Sequence, residues 1–192
     1  MKKELKKQLE SKKEKKLVNT KWIIQISIMS FLISIVFSAA SELIIPNVNL
    51  IIGLLILIIF ILIGIIFDMV GVSMTSSEEA PFHSMNARKI KGANVAILFK
   101  KNADKMASLS NDVIGDICGI VSGSAGAIIS TTIAEKFEIN SFIVALIVTA
   151  VIAALTIGGK ALGKSIAINK ANEILFRFSS IISVVYNPRK NK

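Results

Sequence analysis

The sequence predicts an all-α, multi-pass membrane helical bundle with interfacial amphipathic helices, and three observations carry that prediction. Of 192 residues, 53% are hydrophobic and only 19% charged, and the mean hydropathy is +0.66, well above that of an ordinary soluble domain. The apolar residues fall into four runs, each long enough to cross a ~30 Å hydrocarbon layer at ~1.5 Å per residue. The charge, with 23 Lys and Arg against 13 Asp and Glu for a net +10, lies almost wholly between those runs. A water-soluble globule is excluded. A single Cys cannot make an intrachain disulfide, and a single His cannot build a conventional His-based zinc centre.

Residues 1–21 hold nine Lys and three Glu among helix formers and read as a solvated basic cytoplasmic arm. A nucleic-acid-binding tail has a similar composition. However, a spanning run begins at once at Trp22, and the positive-inside rule accounts for the same lysines, so no nucleic-acid partner is expected. From Trp22 to about Ile45 the chain is apolar apart from Gln25 and small hydroxyls. Ser38, Ala39 and Ala40 resemble a signal-peptidase site, but the apolar stretch is longer than a signal h-region, and a retained anchor is expected. Glu42, Pro46 and Asn47 make a turn, and Val48 to Phe67 is an Ile and Leu run without charge until Asp68. Residues 22–70 therefore form a first transmembrane hairpin.

Residues 71–106 cannot span. Ser77 before Glu78, Glu79 and Pro81 reads as a helix start. Arg88, Lys89, Lys91, Lys100, Lys101 and Lys105, mixed with Phe82, Met85, Ile97, Leu98 and Phe99, then suggest amphipathic helices in the headgroup layer, interrupted near Gly92. Residues 107–163 form a second hairpin. Its first span carries Gly115, Gly119 and Gly123 at every fourth position, with Ser122, Ser124 and Gly126 alongside, giving a nearly flat face that another backbone can approach closely. Its second span, from Ser141, ends in Gly158, Gly159, Lys160 and Gly163. In residues 164–192, Ile174, Phe178, Ile181, Ile182 and Val185 recur at helical spacing, predicting a C-terminal interfacial helix up to Pro188. With this layout 22 of the 23 basic residues lie on one side and only Lys136 on the other. That side is the expected cytoplasmic face of the cell inner (plasma) membrane, with both termini inside and the anionic inner leaflet as a lipid partner.

Ionised carboxylates in hydrocarbon cost from ~2.5 kcal/mol upward, so acids in a span need a partner or a wet cavity. Asp112 and Asp116, four residues apart, share one helix face beside the glycines. Counted from the start of the span at Ala107, Asp112 lies ~8 Å in, and Asp68 and Lys160 sit at the inner ends of their own spans. Two arrangements answer the requirement. In one, Lys160 neutralises Asp112 or Asp116 in a structural salt bridge. In the other, Asn111, the Asp pair and the hydroxyls near Ser77 form an oxygen-lined site for a hard cation such as Mg²⁺. His83 reads as a surface or capping residue, Cys118 as packing and the methionines as gap filling. There is no phosphate-cradling loop and no nucleophile elbow, and no enzymatic activity is expected.

The order of these parts resembles the transmembrane domain of the cyclin-M/CorC family of magnesium transport proteins, over about residues 55 to 185. Thr75-Ser76-Ser77-Glu78-Glu79-Ala80 is similar to the family's Ser-Gly-Ser-Glu-x-Ala, and Ser108-Leu109-Ser110-Asn111-Asp112-Val113-Ile114-Gly115 to its Leu-Ile-Gly-Asn-x-Leu-Val-Asn, matching at Asn111 and the apolar positions. Gly159-Lys160-Ala161-Leu162-Gly163-Lys164 stands where the family has Gly-Glu-x-x-Pro-Lys. The resemblance implies a homodimer whose spans hold a nearly dehydrated Mg²⁺ through Ser, Asn and Glu oxygens. Ser77 and Asn111 keep such oxygens, whereas Lys160 replaces the Glu and Gly163 the Pro. An ammonium cannot ligate Mg²⁺, so Lys160 becomes a tethered cation that plugs the site, unless Asp112 and Asp116 restore the lost charge. The alternative is a non-transporting scaffold or regulatory partner that associates through the Gly115, Gly119 and Gly123 face. The family's nucleotide-sensing module has no counterpart after the last amphipathic helix, so no ATP regulation is implied.

Overall fold

A computed structural model describes residues 20–186. Most of the basic arm and the final stretch with Pro188, Arg189, Lys190 and Lys192 lie outside the described residues. Among the described residues the fold is wholly helical, without strands. Four rods are long and apolar enough to cross a membrane: Thr20–Asn47, Leu50–Ser76, Ala103–Phe137 and Ser141–Asn169.

Helix α1 (Thr20–Ile44) runs from the basic end of the molecule to the opposite end, where a 3₁₀ turn (Ile45–Asn47) holding Pro46 reverses the chain. Helix α2 (Leu50–Ser76) returns. It begins at Asn49, whose Oδ1 accepts a 3.0 Å hydrogen bond from the Ile52 N–H and so satisfies one of the orphan donors of the first turn. At the basic end follow α3 (Ala80–Ala87), opened by Pro81 in its first turn, and α4 (Ala93–Lys101). Helix α5 (Ala103–Ser108), a π-helical stretch (Leu109–Gly115) and α6 (Asp116–Phe137) form one continuous rod. Glu138 ends it in the left-handed conformation at φ 54°, and the Asn140 side chain accepts from the Phe142 N–H to start α7 (Ser141–Asn169). Helix α8 (Ala171–Val185) follows after Lys170.

The rods α2, α6 and α7 form the centre, and α1 lies along α6 rather than along its hairpin partner α2. Hydrocarbon supplies no hydrophobic drive between helices, so close backbone approach through small residues and dispersion must hold them. Gly64 of α2 meets Cys118 and the Gly115 carbonyl, Gly126 of α6 meets Ile152 of α7, and Gly159 and Gly163 of α7 meet Ile65 and Met69 of α2. Each pair of central helices is thus joined where a side chain is missing. An apolar cluster of Leu57, Ile61, Ala125, Ile129 and Ile152 fills the half of the bundle farther from the basic end.

Three helices run further than hydropathy alone predicts. α2 continues past Asp68 to Ser76, α7 past Leu162 to Asn169, and the third rod begins at Ala103. Beyond the apolar layer these ends enter a second core at the basic end, where Val70 and Met74 pack with Phe82, Ala96, Ile97 and Leu175. The helices α3, α4 and α8 are therefore part of a packed cap. α8 departs from the expected stripe: Leu175 and Ser179 are fully buried, while Ile181 and Val184 are 68% and 86% exposed. Its inner face meets α2 and α4 through Phe178, whose ring lies 6.1 Å from Phe67 and 6.0 Å from Phe99. Its outer apolar residues face away from the protein, as an interfacial helix requires.

Gly92 links α3 to α4 at φ +87°, and a Cβ there would lie 2.7 Å from the Ser180 Cα of α8. Gly92→Ala is expected to cost about 1–3 kcal/mol through backbone strain and the lost close approach. Gly158→Ala, where nothing lies within 4 Å, should be nearly neutral. Thermal unfolding in detergent followed by circular dichroism measures both, and equal midpoints would contradict the assignment.

Candidate functional site

The residues that carry chemistry gather on one level. Counted from Leu50, Asp68 lies about 27 Å along α2, and the contacts of Gly64 with Gly115 and of Ile65 with Gly159 place Asp116 and Lys160 within about 8 Å of that level. These three charges form a belt at the depth where a ~30 Å hydrocarbon layer ends. Asp112 lies at the same level as Asp68, because its neighbour Asn111 packs on Gly71, three residues beyond Asp68 on α2. Asp116, next to Gly115 and so level with Gly64, stands about two turns nearer the middle of the bundle than Asn111 and Gly71.

Lys160 Nζ donates to Asp116 Oδ1 at 3.2 Å. The Lys160 side chain is 24% exposed and the Asp116 side chain 64%, so the pair sits on the bundle's outer surface. The lysine reaches it across Gly115, where an added Cβ would lie 3.7 Å from Nζ. Asp112 is also exposed and makes no ion pair among the described residues.

Asn111 points elsewhere. Its amide packs on Gly71 of α2 so closely that a Cβ at that glycine would overlap Oδ1. That oxygen is buried and accepts no hydrogen bond, which is costly for a carbonyl dipole. The π-helical stretch widens the turn that contains Asn111, a distortion often found at functional sites. The structure thus separates Asn111, turned inward, from Asp112 and Asp116, turned outward.

Ser77 does not join either group. It caps the end of α2, buried, with its Oγ donating to the Met74 carbonyl at 3.4 Å. It lies about 9 Å beyond the level of Gly71. Lys100 Nζ donates to the Met74 and Thr75 carbonyls at 3.2 and 3.0 Å. An ammonium therefore already occupies the negative end of the α2 dipole, where a metal ion would compete with it. His83 pairs with Glu79 at 2.9 Å on the surface.

Depth alone marks Asp68 in the sequence, which does not place it among the expected site donors. It follows Gly64 by one turn and precedes Gly71 by three residues, so it shares the α2 face that packs on Gly115 and Asn111. It is half-buried and makes no ion pair or hydrogen bond among the described residues. The Gly64, Asp68, Gly71 spacing was the available signal. Among the described residues there is no cluster of three or more His, Cys, Asp or Glu arranged to hold a metal ion.

The proposed glycine ladder divides. Gly115 is an internal contact to Gly64. Gly119 and Gly123 meet nothing within 4 Å and, with exposed Ile120, Ala127 and Asp116, line the outward face of α6. The rod therefore has one small-residue face spent on the fold and a second left open.

Comparison with protein-family models, with curated proteins and with solved structures finds no match.

Proposed function

We propose that this chain is a non-transporting membrane scaffold or regulatory partner that associates within the bilayer, as a homodimer, through the outward face of α6. The observation that carries the proposal is the Lys160 to Asp116 pair at 3.2 Å on an exposed surface, next to the open Gly119 and Gly123 positions. Lipid is a poor neighbour for an ion pair at the edge of the hydrocarbon. A helix laid against the flat glycine face gains close packing and shields the pair at the same time. The same lysine argues against conduction, because its ammonium holds the acid that a passing cation would need. With the basic end in the cytoplasm, Arg88, Lys89, Lys91 and their neighbours would face anionic headgroups of the inner leaflet.

A divalent-cation role, as in the cyclin-M/CorC transmembrane domain that the sequence resembles, is favoured by a different observation. Asn111 Oδ1 is buried without a donor, and Asp68 shares the face that receives it. Both residues carry oxygens of the hard type that Mg²⁺ prefers. Mg²⁺ would then be held at this point, inside the bundle, rather than at the outward acids.

Association is tested by Gly123→Leu. Because the position faces open space, folding should be unaffected, while dimerisation in detergent micelles, measured by energy transfer between labelled copies, should weaken about tenfold, or ~1.4 kcal/mol. An unchanged dimer would refute the proposed face. Transport is tested separately in liposomes: no Mg²⁺ flux is expected from the unmodified protein, whereas Lys160→Glu should bind Mg²⁺ in calorimetry. Mg²⁺ binding by the unmodified protein that is lost in Asn111→Ala would instead establish the cation role.

A further inference from the structure

An apolar cleft of about 400 Å³ opens between α1, α2 and the third rod. It exists because α1 follows α6 and stands off from α2, leaving a gap that Phe37 of α1 and Phe60 of α2 bridge by an edge-to-face contact with ring centroids 6.1 Å apart. Ile33 forms the α1 wall, Ile63 and Phe67 continue the α2 wall, and Cys118 lies at the back. Between Phe60 and Phe67 the walls extend about 10 Å parallel to the helix axes, the direction in which acyl chains run in a bilayer. No charged residue lines the cleft, so water would find no partners there and an empty gap would forfeit dispersion on every wall.

Beyond the cleft, toward the basic end, aromatic and cationic side chains stand together. Trp22, in the first turn of α1, lies under Lys105, whose Nζ is 5.3 Å from the ring centroid. Lys105 stands on the same rod as Ile114 of the cleft wall, about 13 Å further toward the basic end. An indole at this depth belongs to the polar interface, and ammonium groups beside it attract phosphate. Lys21 and Lys101 are exposed close by in sequence and outnumber the single neighbouring acid, Asp104.

We propose that the cleft holds one acyl chain of an anionic phospholipid whose phosphate is met by Lys105 beside Trp22. Bound there, the lipid fills the gap between α1 and α2 beside the Phe37 to Phe60 contact.

Native mass spectrometry of the full chain, delipidated and then titrated with phosphatidylglycerol or phosphatidylcholine, tests this. The unmodified protein should retain one phosphatidylglycerol with at least tenfold preference over phosphatidylcholine. Ile63→Trp fills the cleft and should abolish retention. Ile33→Trp fills it from the loosely held α1 and should do the same even if Ile63→Trp misfolds. Ile143→Trp, on the exposed surface of α7, should leave retention intact. Lys105→Gln should remove the preference for the anionic lipid. Equal retention by Ile33→Trp and the unmodified protein would overturn the proposal, as would a cleft substitution that leaves lipid retention unchanged but separates a dimer, since a second copy would then be the occupant. Persistent anionic preference in Lys105→Gln would overturn the headgroup assignment.

Discussion

A charge placed in hydrocarbon costs several kcal/mol unless something neutralises it, and the lengths of the central helices follow from that cost. α2 and α7 stay apolar for just under the thickness of a bilayer core before Asp68 and Lys160 appear. Past that belt the chain is free to mix charged and apolar residues. It does so in a cap where Phe82 and Leu175 are fully buried while Arg88, Lys89 and Lys91 remain exposed. The molecule therefore has two cores made by different forces. Between the rods, glycines and dispersion hold helices together without help from the hydrophobic effect. In the cap, apolar surface is removed from water in the ordinary way.

The same division explains why α1 is peripheral. Phe37, Phe60 and Phe67 line the gap between it and α2 and are too bulky to allow the close approach that glycines permit between α2, α6 and α7. Its packing against α6 comes from Ile26 and Ile33 meeting Val113, Ile117 and Val121. The apolar cleft is the geometric remainder of that choice.

Hydropathy is a local property, so the four rods, the Pro46 turn and the break at Gly92 could be read from the chain. The direction in which a polar side chain points depends on where the helix registers against its neighbours, and that could not. The sequence grouped Asn111 with Asp112 and Asp116 as oxygen donors of one candidate site. A π-helical stretch and a glycine at position 71 draw its amide inward instead. Regular spacing likewise made Gly115, Gly119 and Gly123 equivalent. Only Gly115 falls where α2 crosses, because Gly64 supplies the matching gap. In α8 the stripe was drawn through Ile181, but burial centres on Leu175 and Ser179, since the helix has apolar neighbours on two sides and its sequence pattern does not say which one is protein.

The belt also separates the two functional roles physically. Three carboxylates, Asp68, Asp112 and Asp116, lie at or near it with one ammonium from Lys160 placed among them, and that ammonium is committed to the outward-facing Asp116. Whatever covers the outer surface of α6 has to complement a pair that is already close to neutral, which favours a packed helix over an ion. The inward side has the opposite imbalance: Asn111 Oδ1 accepts no hydrogen bond, and Asp68, on the α2 face that packs on it, makes no ion pair among the described residues. Association and cation binding would therefore occupy opposite sides of the same rod. Each can be lost without the other, because the Lys160 ammonium pairs with Asp116 on the outer side while Asn111 packs on Gly71 on the inner one.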